Sequence, residues 1–368
     1  MTTSTQPRHL VLLIDGTWVS ATHKAADEQQ SNIYWLNLYI EPQNAQKEAQ
    51  ICFYIPGIGS KSKGNKLRGG VLGLGLDTFV EEAYLNIVSN FAENDKIYIF
   101  GFSRGAVIAR MVAYLISDYG ILQREYAEEF PMLWNRVLGK SSSHEENNKI
   151  QKHCYQDISI EFLGLFDTVK GTLGMREYFI VKRFFSSRKL PKNVKAAVHI
   201  LSMHEPRLEF NSIRFQDVTN SQQHLEQIWM PGVHSDIGGG YKQQFLGNIS
   251  LITMLDRLTQ KKLLSVNQPR LSKLRGLIAK DFPNNVTINN ELEKFWVWPF
   301  SRICWQFGYE PRKPSSEDKY QYYHPICDLL DDRLVQIKPA AYKKVFSMNK
   351  FTSKKGWPVF KSIQAPLP

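Results

Sequence analysis

Lys96-Ile97-Tyr98-Ile99-Phe100-Gly101-Phe102-Ser103-Arg104-Gly105-Ala106-Val107-Ile108-Ala109-Arg110 is the stretch on which the fold turns. Its first half is a short apolar run stopped by glycine, which reads as a buried strand. From Ala106 to Ile116 the spacing becomes helical. Between them lies G-x-S-x-G, the strand–sharp turn–helix that holds a serine in a strained, exposed elbow. The glycines leave room where strand and helix crowd together, and the helix N-terminus directs partial positive charge at negative charge developing nearby. The bare pattern recurs by chance, so the flanking strand and helix give it weight. The competing reading is a glycine-rich turn whose serine caps the helix.

Outward from this turn the same alternation repeats. His9-Leu10-Val11-Leu12-Leu13-Ile14 is a buried strand stopped at Asp15-Gly16-Thr17. Ser31-Asn32 caps a helix through Ile33, Leu36 and Ile40, and Ile51 to Ile55 is a strand stopped by Pro56-Gly57. Residues 57 to 75 read as a long loop, Asp77 to Phe91 as a helix, and Ile158 to Phe166 as a strand ending at Asp167. Val194 to His204 has helical spacing. Leu225 to Met230 is a further strand, ending at Pro231-Gly232-Val233-His234. Strand alternating with helix implies a mostly parallel sheet covered on both faces. The expectation is an α/β-hydrolase fold over residues 1–260, with about 125–152 and 172–192 as insertions or lid. A basic, aromatic-rich, mainly helical appendage over 261–368 follows.

The chain has 368 residues, 43% hydrophobic and 12% aromatic, enough for a sizeable core and incompatible with wholesale disorder. No window of about 18 uncharged apolar residues is present, and the N-terminus runs into a strand without the pattern of a signal peptide. The expected location is the cytoplasm of the producing cell, with any export using another route. Cys52, Cys154, Cys304 and Cys327 lie far apart, which excludes a zinc ribbon and argues against a disulfide framework. The net charge of +11 is partly local: eight Lys or Arg and no Asp or Glu follow from Arg333 onward.

A serine hydroxyl needs a general base, itself oriented by an acid. In α/β-hydrolases the chain order is Ser, then Asp or Glu, then His. Asp167 and His234 follow Ser103 in that order and each ends a strand, where open α/β sheets bind ligands. For Asp167 the rival role is a helix cap; for His234 it is a loop histidine bonded to backbone. His199 and His204 fall in the helical spacing, His9 opens a strand and His224 precedes one, so none competes. The oxyanion hole needs two backbone N–H groups: one from Arg104, the other from the Asp15-Gly16-Thr17-Trp18 loop, with Gly16 and Thr17 as candidates. Asp15 itself is expected to fix that loop rather than act as a second acid. The glycines at 69–75 do not make a dinucleotide fingerprint, and neither GxxxxGK[ST] nor HExxH occurs, so no cofactor and no metal is expected. Asp236, before three glycines, is expected to tighten the loop behind His234 rather than to bind a cation.

At these residues a family resemblance emerges. Leu13-Ile14-Asp15-Gly16-Thr17-Trp18 is similar to "FDGTWN", although Val19 stands where asparagine is usual. Tyr54-Ile55-Pro56-Gly57-Ile58-Gly59 is similar to "YxPGVG", Ile99 to Ala106 to "LFGFSRGA", and Phe166-Asp167-Thr168-Val169 to "FDTV". Pro231 to Tyr241 resembles "PGVHSDVGGGY". These ordered blocks, together, resemble a family of α/β-hydrolase domains that includes the first class of type VI secretion lipase effectors. The resemblance implies an esterase or phospholipase with Ser103, Asp167 and His234 as triad. It does not extend to the C-terminal third.

The expected function is therefore hydrolysis of a carboxylic ester in a lipid, most naturally a glycerophospholipid acyl chain, in an antibacterial effector. Two rivals stand beside it: an esterase or thioesterase for soluble substrates, and an inactive scaffold whose basic tail binds an acidic partner. The expected partners are the lipid substrate, an anionic membrane surface, and a secretion-apparatus or immunity protein; nucleic acid is not expected. Two segments suit a membrane boundary, where aromatic and basic residues concentrate. They are Phe179 to Phe185 with Lys182, Arg183, Arg188 and Lys189, and Trp296, Trp298, Phe300 and Trp305 near Arg302 and Lys313. The bland alternative buries these aromatics in a helical appendage.

Overall fold

Alternate residues of the buried strands feed two separate cores, one on each face of a central sheet. Leu10, Leu12 and Ile14 point to one core, Val11 and Leu13 to the other; Ile97 and Ile99 oppose Tyr98, Phe100 and Phe102 in the same way. Continuous apolar runs are what a sheet buried on both faces requires. The computed structural model describes residues 6–16, 28–57, 75–140, 143–171, 175–205, 207–281, 288–289, 312, 320–324 and 326–327.

In chain order the elements are β1 (His9–Ile14), β2 (Glu28–Ser31), α1 (Asn32–Tyr39), β3 (Gln50–Ile55), α2 (Leu76–Asn90), β4 (Lys96–Phe102), α3 (Arg104–Tyr119) and β5 (Ile121–Leu122). There follow α4 (Phe130–Val137), α5 (His144–Lys152), β6 (Cys154–Tyr155), β7 (Ile160–Phe166), α6 (Met175–Phe184), β8 (Ala196–Ser202) and β9 (His224–Met230). The last are α7 (His234–Gly238), β10 (Gly239–Tyr241), α8 (Phe245–Gln260), α9 (Gln268–Asp281) and β11 (Gln321–Tyr323). Seven strands form one sheet in the order β11-β9-β8-β7-β4-β1-β3, and every neighbouring pair in it is parallel. Helices α2 and α3 cover one face; α1, α8 and α9 cover the other.

The chain leaves β1 for β3 on one side and returns to β4 on the other. The carboxyl ends of β1 and β4 are thus the point where the connections diverge and open a crevice. Ser31 caps α1, its Oγ accepting from the Tyr34 N–H at 3.1 Å, as its sequence position predicts.

The structure corrects one expectation. Val194 to His204 is not a helix: Ala196–Ser202 is strand β8, buried along its whole length between β7 and β9. A strand buried on both faces has no alternation, so periodicity alone does not separate it from a buried helix. Leu271, Leu274 and Ile278 of α9 join the core under the sheet, and β11 extends the sheet beside β9. Of the two segments expected as insertions, 125–152 holds α4 and α5, and 172–192 holds α6. The expected loop over 57–75 lies almost wholly outside the described residues. Among the described residues no helix is long and apolar enough to cross a membrane.

Candidate active site

Ser103 sits between β4 and α3 with φ 60° and ψ −125°, a conformation costly for a residue with a Cβ. Such strain is of order 1–3 kcal/mol and persists only where the surroundings over-determine it. Here they do. The Ser103 N–H donates to the Phe166 carbonyl at 3.1 Å, and its own carbonyl accepts from the Ala106 N–H at 3.1 Å. The flanking glycines are sterically required. A Cβ at Gly101 would lie 2.6 Å from Ala106 Cα, and one at Gly105 would lie 2.4 Å from the carbonyl oxygens of Ile14 and Asp15. The two glycines of G-x-S-x-G therefore let α3 press against both β4 and the end of β1.

Asp167 ends β7, the neighbour of β4, and also has positive φ, 40°. Its Oδ2 lies 2.6 Å from Nδ1 of His234, the first residue of α7. Both side chains are buried. The imidazole packs against Phe102, centroids 4.8 Å apart, and edge-on to Phe210 at 5.0 Å. Its backbone N–H donates to Glu205 Oε2 at 3.0 Å. Nε2 of His234 is buried and has no hydrogen-bond partner among the described residues. With Nδ1 donating to Asp167, Nε2 is the nitrogen left to accept a proton.

Arg312 reaches the same carboxylate from the C-terminal third of the chain. Its Nη1 donates to Asp167 Oδ1 at 2.5 Å and to the Ser202 carbonyl at 3.3 Å, and its Nη2 donates to the Phe210 carbonyl. The Ser202 N–H adds a weak bond to the same oxygen at 3.3 Å. Burial by itself would push the Asp167 carboxyl up; the Arg312 guanidinium first, then the His234 bond, outweigh it and hold the carboxyl well below the usual range. Arg312 and Glu205 went unseen in the sequence because neither stands in a motif. Gly308-Tyr309-Glu310-Pro311-Arg312 carries no signal that would single out its arginine.

At the end of β1, Asp15 is buried among three donors: Ser31 Oγ at 2.6 Å, Tyr54 Oη at 2.7 Å and the Gly16 N–H at 2.7 Å. Burial raises its carboxyl to about 6 against the pull of these bonds. This arrangement is that of a carboxylate tying β1, β2 and β3 to the loop. The Gly16 N–H, one of the oxyanion donors expected from this loop, is directed at the Asp15 carboxylate. Thr17 lies outside the described residues. Gly16 is nonetheless close, since a Cβ there would stand 3.3 Å from Ser103 Cβ.

The remaining polar residues brace the site. His199 Nε2 accepts from the Thr168 N–H at 3.1 Å, and His204 Nδ1 from the Gly232 N–H at 2.8 Å, steadying the turns that carry Asp167 and His234. Burial, and for His199 also the nearby arginines, lowers both imidazoles to about 3, so they stay neutral. Asp236 accepts from the Val233 N–H at 3.0 Å and from the Asn289 side chain at 2.6 Å, closing the loop behind His234. Among the described residues no three His, Cys, Asp or Glu side chains cluster as a metal site.

The parallel sheet with a strained serine turn at its topological switch defines an α/β-hydrolase fold. Residues 8–257 match the family described as "T6SS, Phospholipase effector Tle1-like, catalytic domain", and the chain belongs to that family. It is therefore a member of a phospholipase family. The chain is similar to the uncharacterized protein YEL023C of Saccharomyces cerevisiae, 30% identical over 238 residues, 58% of this chain but only 33% of the yeast protein. Two solved structures are similar. A Tle1 effector bound to the VgrG spike of the type 6 secretion system has TM-score 0.36 and 22% identity, covering 64% of this chain and 51% of that one. An uncharacterized protein from Pseudomonas aeruginosa has TM-score 0.44 and 17% identity, covering 94% and 64%.

Proposed function

We propose that the protein is a serine carboxylic-ester hydrolase acting on glycerophospholipid acyl chains. The observation that carries this reading is the 2.6 Å His234–Asp167 pair, with Ser103 held at φ 60° in a glycine-flanked elbow at the end of the neighbouring strand β4. Ser103 Oγ attacks the ester carbonyl, and His234 Nε2 takes the proton and later returns it to the leaving alcohol. Asp167 keeps the imidazole in the tautomer with hydrogen on Nδ1. The Arg104 N–H at the start of α3, with a donor from the Asp15-Gly16-Thr17 loop, is assigned to the oxyanion. Water then releases the acyl chain from Ser103 with the same histidine as base. Family membership favours a lipid over a soluble ester. It also extends the proposal to a secreted effector, with a secretion-apparatus or immunity protein as partner.

Incubating the purified protein with total bacterial lipids tests the reading. Free fatty acid and lysophospholipid are the expected products. A released head group would place the chemistry at the phosphodiester instead, and turnover of short soluble esters alone would favour the soluble-substrate rival.

Surface chemistry supports a lipid substrate. On α6, Met175, Tyr178 and Phe179 are 80%, 43% and 60% exposed, whereas Ile180, Val181 and Phe185 behind them are buried. The exposed three are spaced i, i+3, i+4 on one side of the helix. Lys182 and Arg183 are exposed beside them. The second aromatic segment, Trp296 to Trp305, lies outside the described residues. Each basic residue adds roughly 1 kcal/mol near an anionic surface, and salt screens the attraction beyond about 8 Å at physiological strength. Ser103→Ala protein should co-sediment with anionic vesicles at low salt and be released as salt rises. Equal binding to neutral and anionic vesicles, or to neither, would remove the electrostatic docking role.

A further inference from the structure

We infer that Arg312 is a positioning residue for the acid–base pair, holding Asp167 in register with His234 and limiting how strongly its charge favours the imidazolium. The inference rests on the triad reading above. It goes beyond the family match, which ends at residue 257.

The geometry has two parts. The guanidinium is pinned at three points, Asp167 Oδ1 and the carbonyls of Ser202 and Phe210. A guanidinium so held cannot rotate, and it anchors Oδ1 of the carboxylate it touches. That leaves Oδ2 directed at His234 Nδ1. The carbonyl acceptors matter equally, because Ser202 ends β8 and Phe210 packs on the imidazole. Arg312 thereby ties the acid, the strand beside it and the wall of the histidine pocket together.

The second part is electrostatic. Two carboxylates face His234, and each is paired with an arginine: Asp167 with Arg312 at 2.5 Å, and Glu205 with Arg207 at 2.6 Å. Of the other groups around it, Asp236 on α7 is engaged with the Val233 and Asn289 N–H groups. His199 on β8 and His204 just beyond it are neutral. An uncompensated pair of buried carboxylates would hold a proton on His234 and take the base out of use. Both charges are instead answered by an arginine. Arg312 is in this way part of the site, although no hydrolase motif surrounds it in the sequence.

The test compares wild type, Arg312→Met and Arg312→Lys by kcat/KM for a chromogenic ester from pH 5 to 9. Fluorophosphonate labelling at Ser103 is run alongside. In Arg312→Met the acidic limb should move up by about one pH unit, because a nearby charge is removed. At pH 7 its kcat/KM should fall about ten- to a hundredfold, as expected when a reacting pair is misaligned. Arg312→Lys keeps the charge and loses the fork, so its limb should stay near the wild-type position while kcat falls. If Arg312→Met does not fold, Arg312→Gln is read in its place. Limbs that coincide in the wild type and the neutral variant overturn the inference, whether activity is kept or lost uniformly. That includes a limb set by Asp15, which would not respond to residue 312. Wild-type protein that is not labelled at Ser103 overturns the triad itself; labelling at Ser103 with coincident limbs overturns only the role of Arg312.

Discussion

Ser103→Ala is expected to lower ester turnover by several orders of magnitude while leaving the fold almost untouched. The hydroxyl is the only atom removed, and the backbone bonds that enforce the turn, from the Ser103 N–H to Phe166 and from the Ala106 N–H to the Ser103 carbonyl, remain. Alanine meets the same positive-φ cost as serine, so the change in stability should stay within about 0.5 kcal/mol. Residual catalysis of about 10³–10⁴ over water could survive through the oxyanion donors and binding alone. Kinetics and urea denaturation on the same preparation check both halves. A serine-reactive fluorophosphonate should label the wild type at Ser103 and leave the variant unlabelled. Full activity in the alanine variant, or labelling elsewhere, removes Ser103 as nucleophile.

Asp167→Asn should be nearly as damaging to the rate and more damaging to stability. The amide favours the wrong imidazole tautomer, an effect of about 10⁴ in serine proteases. In this protein it also leaves the buried Arg312 guanidinium facing a neutral group, and breaking a buried pair costs about 3–5 kcal/mol. The sign of the pH dependence follows from the carboxyl's position. Its folded value lies below the ordinary 3.8, so its contribution to stability is complete above about pH 4 and is lost as pH falls below that. The asparagine variant should lack this acid-side loss. Asp15 behaves in the opposite sense. Its carboxyl is raised from 3.8 to about 6, so the folded state holds the proton more tightly, and stability declines as pH rises through that window. Asp15→Asn removes that burden but sets an amide donor among three donors, so a loss of about 1–2 kcal/mol and a milder kinetic effect are expected. If Asp15→Asn proves the more damaging to the rate at equal stability, the acid is Asp15 and not Asp167.

Much of the architecture was legible because local rules and the global fold agree in the first half of the chain. The strands at His9–Ile14 and Lys96–Phe102 are short apolar runs ended by glycine-containing turns, and Ser31 is a capping residue in a capping position. The elbow was legible for a stronger reason. At Gly101 and Gly105 the approach of α3 leaves no room for a Cβ, so the close packing is written directly into residue type. Strand β8 was not legible. Its residues are buried on both faces, and burial between two parallel neighbours erases the alternation by which a strand is recognised.

The sequence by itself determined the chain order of serine, aspartate and histidine, the strand ends that carry them and the family. These depend on local patterns that survive without knowing what lies across the sheet. Only the tertiary structure decided what surrounds them. It gave the Gly16 N–H to Asp15, set Glu205 on the His234 N–H, and brought Arg312 across 145 residues of chain to Asp167. The physical reason is that a lone arginine or glutamate far from any motif looks like a solvated surface charge. Its role appears only when folding buries it against a partner of opposite charge, because a buried charge must be paired and hydrogen-bonded to be tolerated at all.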